Sequence, residues 1–139
     1  MISAFDADVL IYAAVPGHPL GSRVLPLIKN SDPSVGSVLL LPEILTKPLR
    51  ADPDSEEVAL LFGLVSRIEL FPFDQTAAEF AVGLGSKYGL RAADAAHLAT
   101  AILAGADQFI TNNRKDFPKT IAEIEVVYPD ELSVPAFPQ

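Results

Sequence analysis

Apolar residues fall along this chain in two rhythms. Short unbroken runs at residues 2–5, 37–41, 68–73, 108–111 and 123–128 read as buried strands. Between them, apolar positions recur every three or four residues, as on one face of a helix. One helix is predicted from near Asp8, carrying Val9, Leu10, Ile11 and Ala13 into the Pro16-Gly17 break. A second stretch covers 19–30, where Pro19 suits the first turn and Pro26 should kink or shorten the helix. Pro42 and Glu43 open a short helix that Pro48 disturbs. Ser55 is an N-cap over Glu56, Glu57 and Val58, and its helix should bury Val58, Leu61, Phe62 and Val65. Asp74 or Thr76 caps a helix with Ala77, Phe80, Ala81 and Leu84, which Gly89-Leu90 breaks. Residues 91–104 are alanine-rich and apolar on nearly every side, which predicts a buried helix ended by Gly105.

Strands separated by helices imply a parallel sheet covered on both faces. The expected fold is α/β, a three-layer α/β/α arrangement with a parallel five-stranded sheet. It forms a single domain over residues 1–139, with 129–139 a loose C-terminal tail. Ligands of such sheets bind beyond the carboxyl ends of the strands.

Composition narrows the chemistry. The chain has 139 residues, half of them hydrophobic and 20% charged, a globular composition with material for one core. No apolar run approaches the ~20 residues that span a bilayer. No basic leader precedes the first strand, so the expectation is a cytoplasmic protein without a membrane partner. The absence of cysteine excludes disulfide scaffolds, thiolate zinc sites, thiol nucleophiles and iron–sulfur clusters. The formal net charge of −8 argues against a broad basic surface for nucleic acid. Phosphate chemistry would need a bound cation or locally gathered basic groups.

Several polar residues stand where a ligand should bind. Asp6 follows the first strand, Glu43 the second, and Asn112, Asn113 and Asp116 the fourth. Asp94 lies in the first turn of the buried helix. Each has a plain reading: Asp6 or Asp8 as a helix cap, Glu43 and Asp94 as first-turn acids, Asn112-Asn113 as a turn. Those readings do not predict that all should gather on one edge. Asp94 is flanked by Ala92, Ala93, Ala95 and Ala96, where an unpaired carboxylate is costly. A divalent cation removes that cost, and oxygen donors without His or Cys select Mg²⁺ or Mn²⁺. Seven of the ten basic residues lie near the acidic segments: Lys47, Arg50, Lys87, Arg91, Arg114, Lys115 and Lys119. They are either a solvated face, with Lys47 paired to Glu43, or a phosphate-binding rim. His97 reads as a structural residue and His18 as a loop residue. Ser37, Thr46 and Thr111 have no base at a recognisable spacing, and there is no phosphate-cradling glycine loop or dinucleotide fingerprint.

Four collinear segments carry a resemblance. They are Phe5-Asp6-Ala7-Asp8-Val9-Leu10-Ile11-Tyr12, Pro42-Glu43-Ile44-Leu45, the stretch from Leu90-Arg91-Ala92-Ala93-Asp94 through His97 to Ala101, and Phe109-Ile110-Thr111-Asn112-Asn113-Arg114-Lys115-Asp116-Phe117. In this order they resemble the PIN-domain ribonucleases, and among them the VapC-like toxins of toxin–antitoxin pairs. The resemblance implies a Mg²⁺- or Mn²⁺-dependent endoribonuclease acting on RNA. It implies Asp6 and Asp94 as main metal ligands, and Glu43 as a ligand or outer acid. Asn113 stands where the family often has a fourth acid, and Asp116 is the nearest acid to it. Arg91, Arg114 or Lys115 would neutralise phosphate charge. A cognate antitoxin protein and a homodimer are the implied partners, with Leu60, Leu64 and Phe137 available to an interface or to the core.

Two alternatives stand beside this reading. One is a PIN-like binding module impaired by Asn113. The other is a haloacid-dehalogenase-type phosphatase, for which Asp6-Ala7-Asp8 would be the nucleophile motif.

Overall fold

The computed structural model describes residues 1–135. Along the chain run β1 (Ser3–Phe5), α1 (Ala7–Ala13), α2 (Gly21–Lys29), β2 (Ser34–Ser37), α3 (Leu40–Ala51) and α4 (Glu56–Val65). Then come β3 (Glu69–Phe71), α5 (Gln75–Tyr88), α6 (Ala92–Leu103), β4 (Gln108–Ile110) and β5 (Glu125–Val127). The five strands form one parallel sheet in the order β3-β2-β1-β4-β5. The expected three-layer α/β/α fold is what forms.

Alternation along the strands divides the core between two faces. Phe5 and Ile110 point to one side and pack with Val9, Leu10, Val24, Leu40, Ile44 and Leu61 from α1 to α4. Ala4 and Phe109 point to the other and pack with Ala81, Leu84, Leu98 and Ala99 from α5 and α6. Strands of three or four residues suffice because both faces are covered. Among the described residues, no helix is long and apolar enough to cross a membrane.

Several local expectations are corrected. The second strand is Ser34–Ser37, not residues 37–41. Ser37 Oγ accepts a hydrogen bond from Leu39 N at 3.1 Å, which turns the chain, and the Leu39-Leu40-Leu41 run leads into α3 instead. A Cβ on Gly36 would meet Leu40 Cδ1 at 2.6 Å, so β2 and α3 are pressed together there. Neither Pro26 nor Pro48 ends its helix; α3 continues through Pro48 to Ala51, held by buried Leu40, Ile44 and Leu45. On α4 the buried stripe is Val58, Leu61, Leu64 and Val65, and Phe62 falls on its flank, 48% exposed. Leu64 belongs to the core, Leu60 packs against it, and Phe137 lies outside the described residues.

The segment read as a loose tail begins with a 3-10 turn, Pro129–Glu131. Glu131 Oε1 accepts from Tyr128 N at 2.8 Å, and Arg23 Nη1 donates to the Asp130 carbonyl at 2.9 Å. Those bonds tie the turn to β5 and to α2.

His18 does more than line a loop. Its Nδ1 accepts from Leu20 N at 3.1 Å and Gly21 N at 3.0 Å, capping α2, while its ring stacks on Tyr12 at 4.5 Å. Gly21 lies so close to α1 that a Cβ would meet the Tyr12 carbonyl oxygen at 2.0 Å. His18→Ala should therefore cost about 1 kcal/mol, as other lost caps do. Gly21→Ala should cost more, about 3 kcal/mol, because backbone must part from backbone. Urea unfolding midpoints test this ranking, and a Gly21→Ala protein as stable as the parent contradicts the tight α1–α2 contact.

Candidate active site

The sheet order places β1 between β2 and β4: the chain runs from β1 to β2 and β3 on one side, then crosses back to β4 and β5 on the other. A crevice opens at such a point, beyond the strand ends. Phe5 is in register with Ile110, which sets the next residues, Asp6 and Thr111, side by side. Asp6 is 6% exposed. Its Oδ1 accepts from Ala7 N at 2.8 Å, capping α1, and its Oδ2 accepts from Thr111 Oγ1 at 2.8 Å. Thr111 Oγ1 in turn accepts from Asn113 N at 3.1 Å. The cap and the site are one carboxylate. Thr111, passed over for want of a base, turns out to hold Asp6; only its adjacency in register could have revealed this.

Two more carboxylates crowd the same place. Asp8, in the first turn of α1, accepts from Asn112 N at 3.1 Å through Oδ2, while its Oδ1 is buried without a partner. Asp94, in the first turn of α6, is half-buried. Burial is the main cause that pushes the Asp8 carboxyl up to about 7, with the Asp6 charge next. Burial, then the charges of Asp6 and Asp116, push Asp94 up to about 6. Asp6 is also raised by burial, against the hydrogen bond from Thr111.

The remaining candidates divide. Glu43 turns to His97, whose Nε2 lies 3.0 Å from Glu43 Oε1. Asn113 Nδ2 donates to Asp116 Oδ2 at 2.9 Å, and Asp116 N donates to Asn113 Oδ1 at 3.2 Å. The Asn113 amide is the main cause that lowers the Asp116 carboxyl. Arg91 stands 3.6 Å from Asp116 with most of its side chain exposed, and Lys115 is exposed beside it. Arg114 is drawn away: its guanidinium pairs with Asp130 at 2.6 Å and lies over the Tyr128 ring at 4.3 Å. Lys87 pairs with Glu123 and Lys119 with Glu131, so neither joins a phosphate rim. Lys47 makes no ion pair with Glu43.

Among the described residues, no group of three or more Asp, Glu, His or Cys side chains is gathered closely enough to hold a metal ion by itself. A closed cage is not what Mg²⁺ requires, because it keeps several waters and takes one or two carboxylates. The donor set fits that demand. It is all oxygen, it is short of neutralising charge, and it includes the partnerless Asp8 Oδ1. Asp6 and Asp94 are the residues that would hold such an ion.

The sequence matches the PIN domain family over residues 4–123. The chain belongs to the PIN-domain family. PIN domains are generally nucleases that use divalent metals. No curated protein matches the sequence. Among solved structures, this PIN domain is similar to a toxin–antitoxin complex from Klebsiella pneumoniae, at 25% identity and a TM-score of 0.72, over 91% of this chain and 97% of that one. It is also similar to DNA-bound VapBC from Salmonella typhimurium, at 19% identity and a TM-score of 0.73, over 93% of this chain and 98% of that one. VapBC2 from Rickettsia felis, bound to a DNA fragment from its promoter, matches at 21% identity and 0.71, over 92% and 98%. At 19% and 21% identity the likeness is one of fold.

The crowding of Asp6, Asp8 and Asp94 has a measurable sign. Asp8 and Asp94 titrate above their ordinary 3.8 in the folded protein. Their contribution to metal-free stability is complete below about pH 4 and is lost as pH rises through their folded values of about 7 and about 6. In chelator, Asp8→Asn and Asp94→Asn should therefore melt progressively higher than the parent as pH rises from about 4, levelling off above about 7 for Asp8→Asn and above about 6 for Asp94→Asn. A gap that does not widen with pH overturns the raised pKa values that burial and mutual repulsion give these two carboxyls.

Proposed function

We propose that this PIN domain is a Mg²⁺- or Mn²⁺-dependent endoribonuclease that hydrolyses RNA phosphodiester bonds, and the toxin component of a toxin–antitoxin pair. The observation that carries the reading is the crowding of Asp6, Asp8 and Asp94 at the point where the sheet connections diverge. A bound divalent ion supplies a more acidic water and polarises the phosphoryl oxygen.

The chain's own residues do the positioning. Asp6, fixed by Ala7 N and Thr111 Oγ1, and Asp94 hold the ion. Glu43 faces it from α3. Asp8 braces the loop after β4 through Asn112, while its other oxygen is buried beside the ion's place without a protein partner. Asn113 occupies the place of the family's fourth acid and orients Asp116. Arg91 and Lys115, both exposed, meet the phosphate charge.

Such an enzyme needs a protein antitoxin, and the toxin–antitoxin complexes among its structural neighbours support one. The net charge of −8 favours a basic antitoxin segment. An RNA substrate and an antitoxin partner support a cytoplasmic location. The engagement of Asn113 with Asp116 favours one second reading, an impaired PIN module that binds without cleaving. Family membership leaves the phosphatase reading without support.

Purified protein should cleave RNA with Mn²⁺, and Asp6→Asn or Asp94→Asn should slow cleavage by about 100-fold or more while circular dichroism keeps its shape. Thr111→Val should slow it less, by about tenfold, through misplacement of Asp6. Cleavage undiminished in excess chelator overturns the metal-dependent reading, and Mn²⁺ binding without cleavage leaves the impaired module.

A further inference from the structure

His97 lies in the middle of α6, one turn after Asp94, and is 3% exposed. No aligned hydrogen bond reaches either ring nitrogen among the described residues. Burying an unpaired polar ring is unfavourable unless something nearby compensates. The compensation here is the Glu43 carboxylate, with Oε1 3.0 Å from Nε2. Glu43 stands on α3 with a side chain 34% exposed, and among the described residues His97 is its one side-chain polar contact. Both groups are close enough to Asp6 for their charges to act on it.

We propose that His97 is a positioning residue for Glu43: it holds one carboxylate oxygen and leaves the other turned to the cation or its water. The inference rests on the metal-nuclease reading above. A glutamate on an outer helix samples several rotamers, and a partner that selects one of them lowers the ordering cost of binding. Groups that orient a ligand in this way commonly change metal affinity by 10- to 100-fold. The arrangement also gives α6 two tasks. Asp94 faces the ion directly, and His97 brings in an acid from α3 across the end of the sheet.

Mn²⁺ binding by the RNA-free protein, followed by electron paramagnetic resonance, is the deciding readout. Cleavage and circular dichroism melts run alongside it. His97→Leu should weaken Mn²⁺ binding by about 10- to 100-fold. His97→Gln, whose amide N–H can stand near the Nε2 position, should recover most of the loss. In a Glu43→Gln background, His97→Leu should add nothing, because the residue it acts through is gone. His97→Met is a second apolar probe if His97→Leu does not fold. Parent-like affinity in the apolar variants overturns the inference and leaves the nuclease reading intact. So does an equal further loss in the Glu43→Gln background, or a well-folded His97→Gln protein no better than His97→Leu. A parent protein that binds no Mn²⁺ overturns both.

Discussion

The hydrogen bond from Thr111 to Asp6 joins the ends of the two central strands and holds a carboxylate almost out of water. Much else answers to it. That contact depends on the register of β1 with β4, since a slip of one residue would take Asp6 away from Thr111. The start of α1 is fixed by the other oxygen of the same side chain. Burial first, and then the Asp6 charge that cannot move aside, make Asp8 and Asp94 weaker acids than they would be in water.

The layer order was legible because it rests on long-range pattern. Apolar runs alternating with helical periods leave few arrangements besides a parallel sheet covered on both sides. What was not legible was decided by single contacts. The leucines at 39–41 are as suitable for a strand as for a helix, and the hydroxyl of Ser37 chose the helix. Proline rules forecast an early end to α3, but burial of Ile44 and Leu45 outweighed one missing backbone bond.

At the site, Asp6 and Asp94 were readable from their places at a strand end and in an apolar helix. Glu43 was a candidate from its place after the second strand, but its approach to His97 was not legible, because nothing in sequence spacing relates a residue on α3 to one on α6. The basic residues misled most. Proximity in sequence suggested a common rim, yet Arg114 and Lys119 are spent on the turn after β5, with Tyr128 between them. Arg91 and Lys115 are left to face outward.

The connection from β4 to β5 carries Asn113 and Asp116, and it is not free to swing. Phe117 at its centre is fully buried, edge-on to Phe109 at 5.0 Å, and its carbonyl accepts from the Tyr128 hydroxyl at 2.7 Å. A segment plugged into the core in this way forms a fixed wall and not a hinged flap. Any molecule that settles against that wall must do the bending itself, so shape discrimination there falls to the pliancy of the guest.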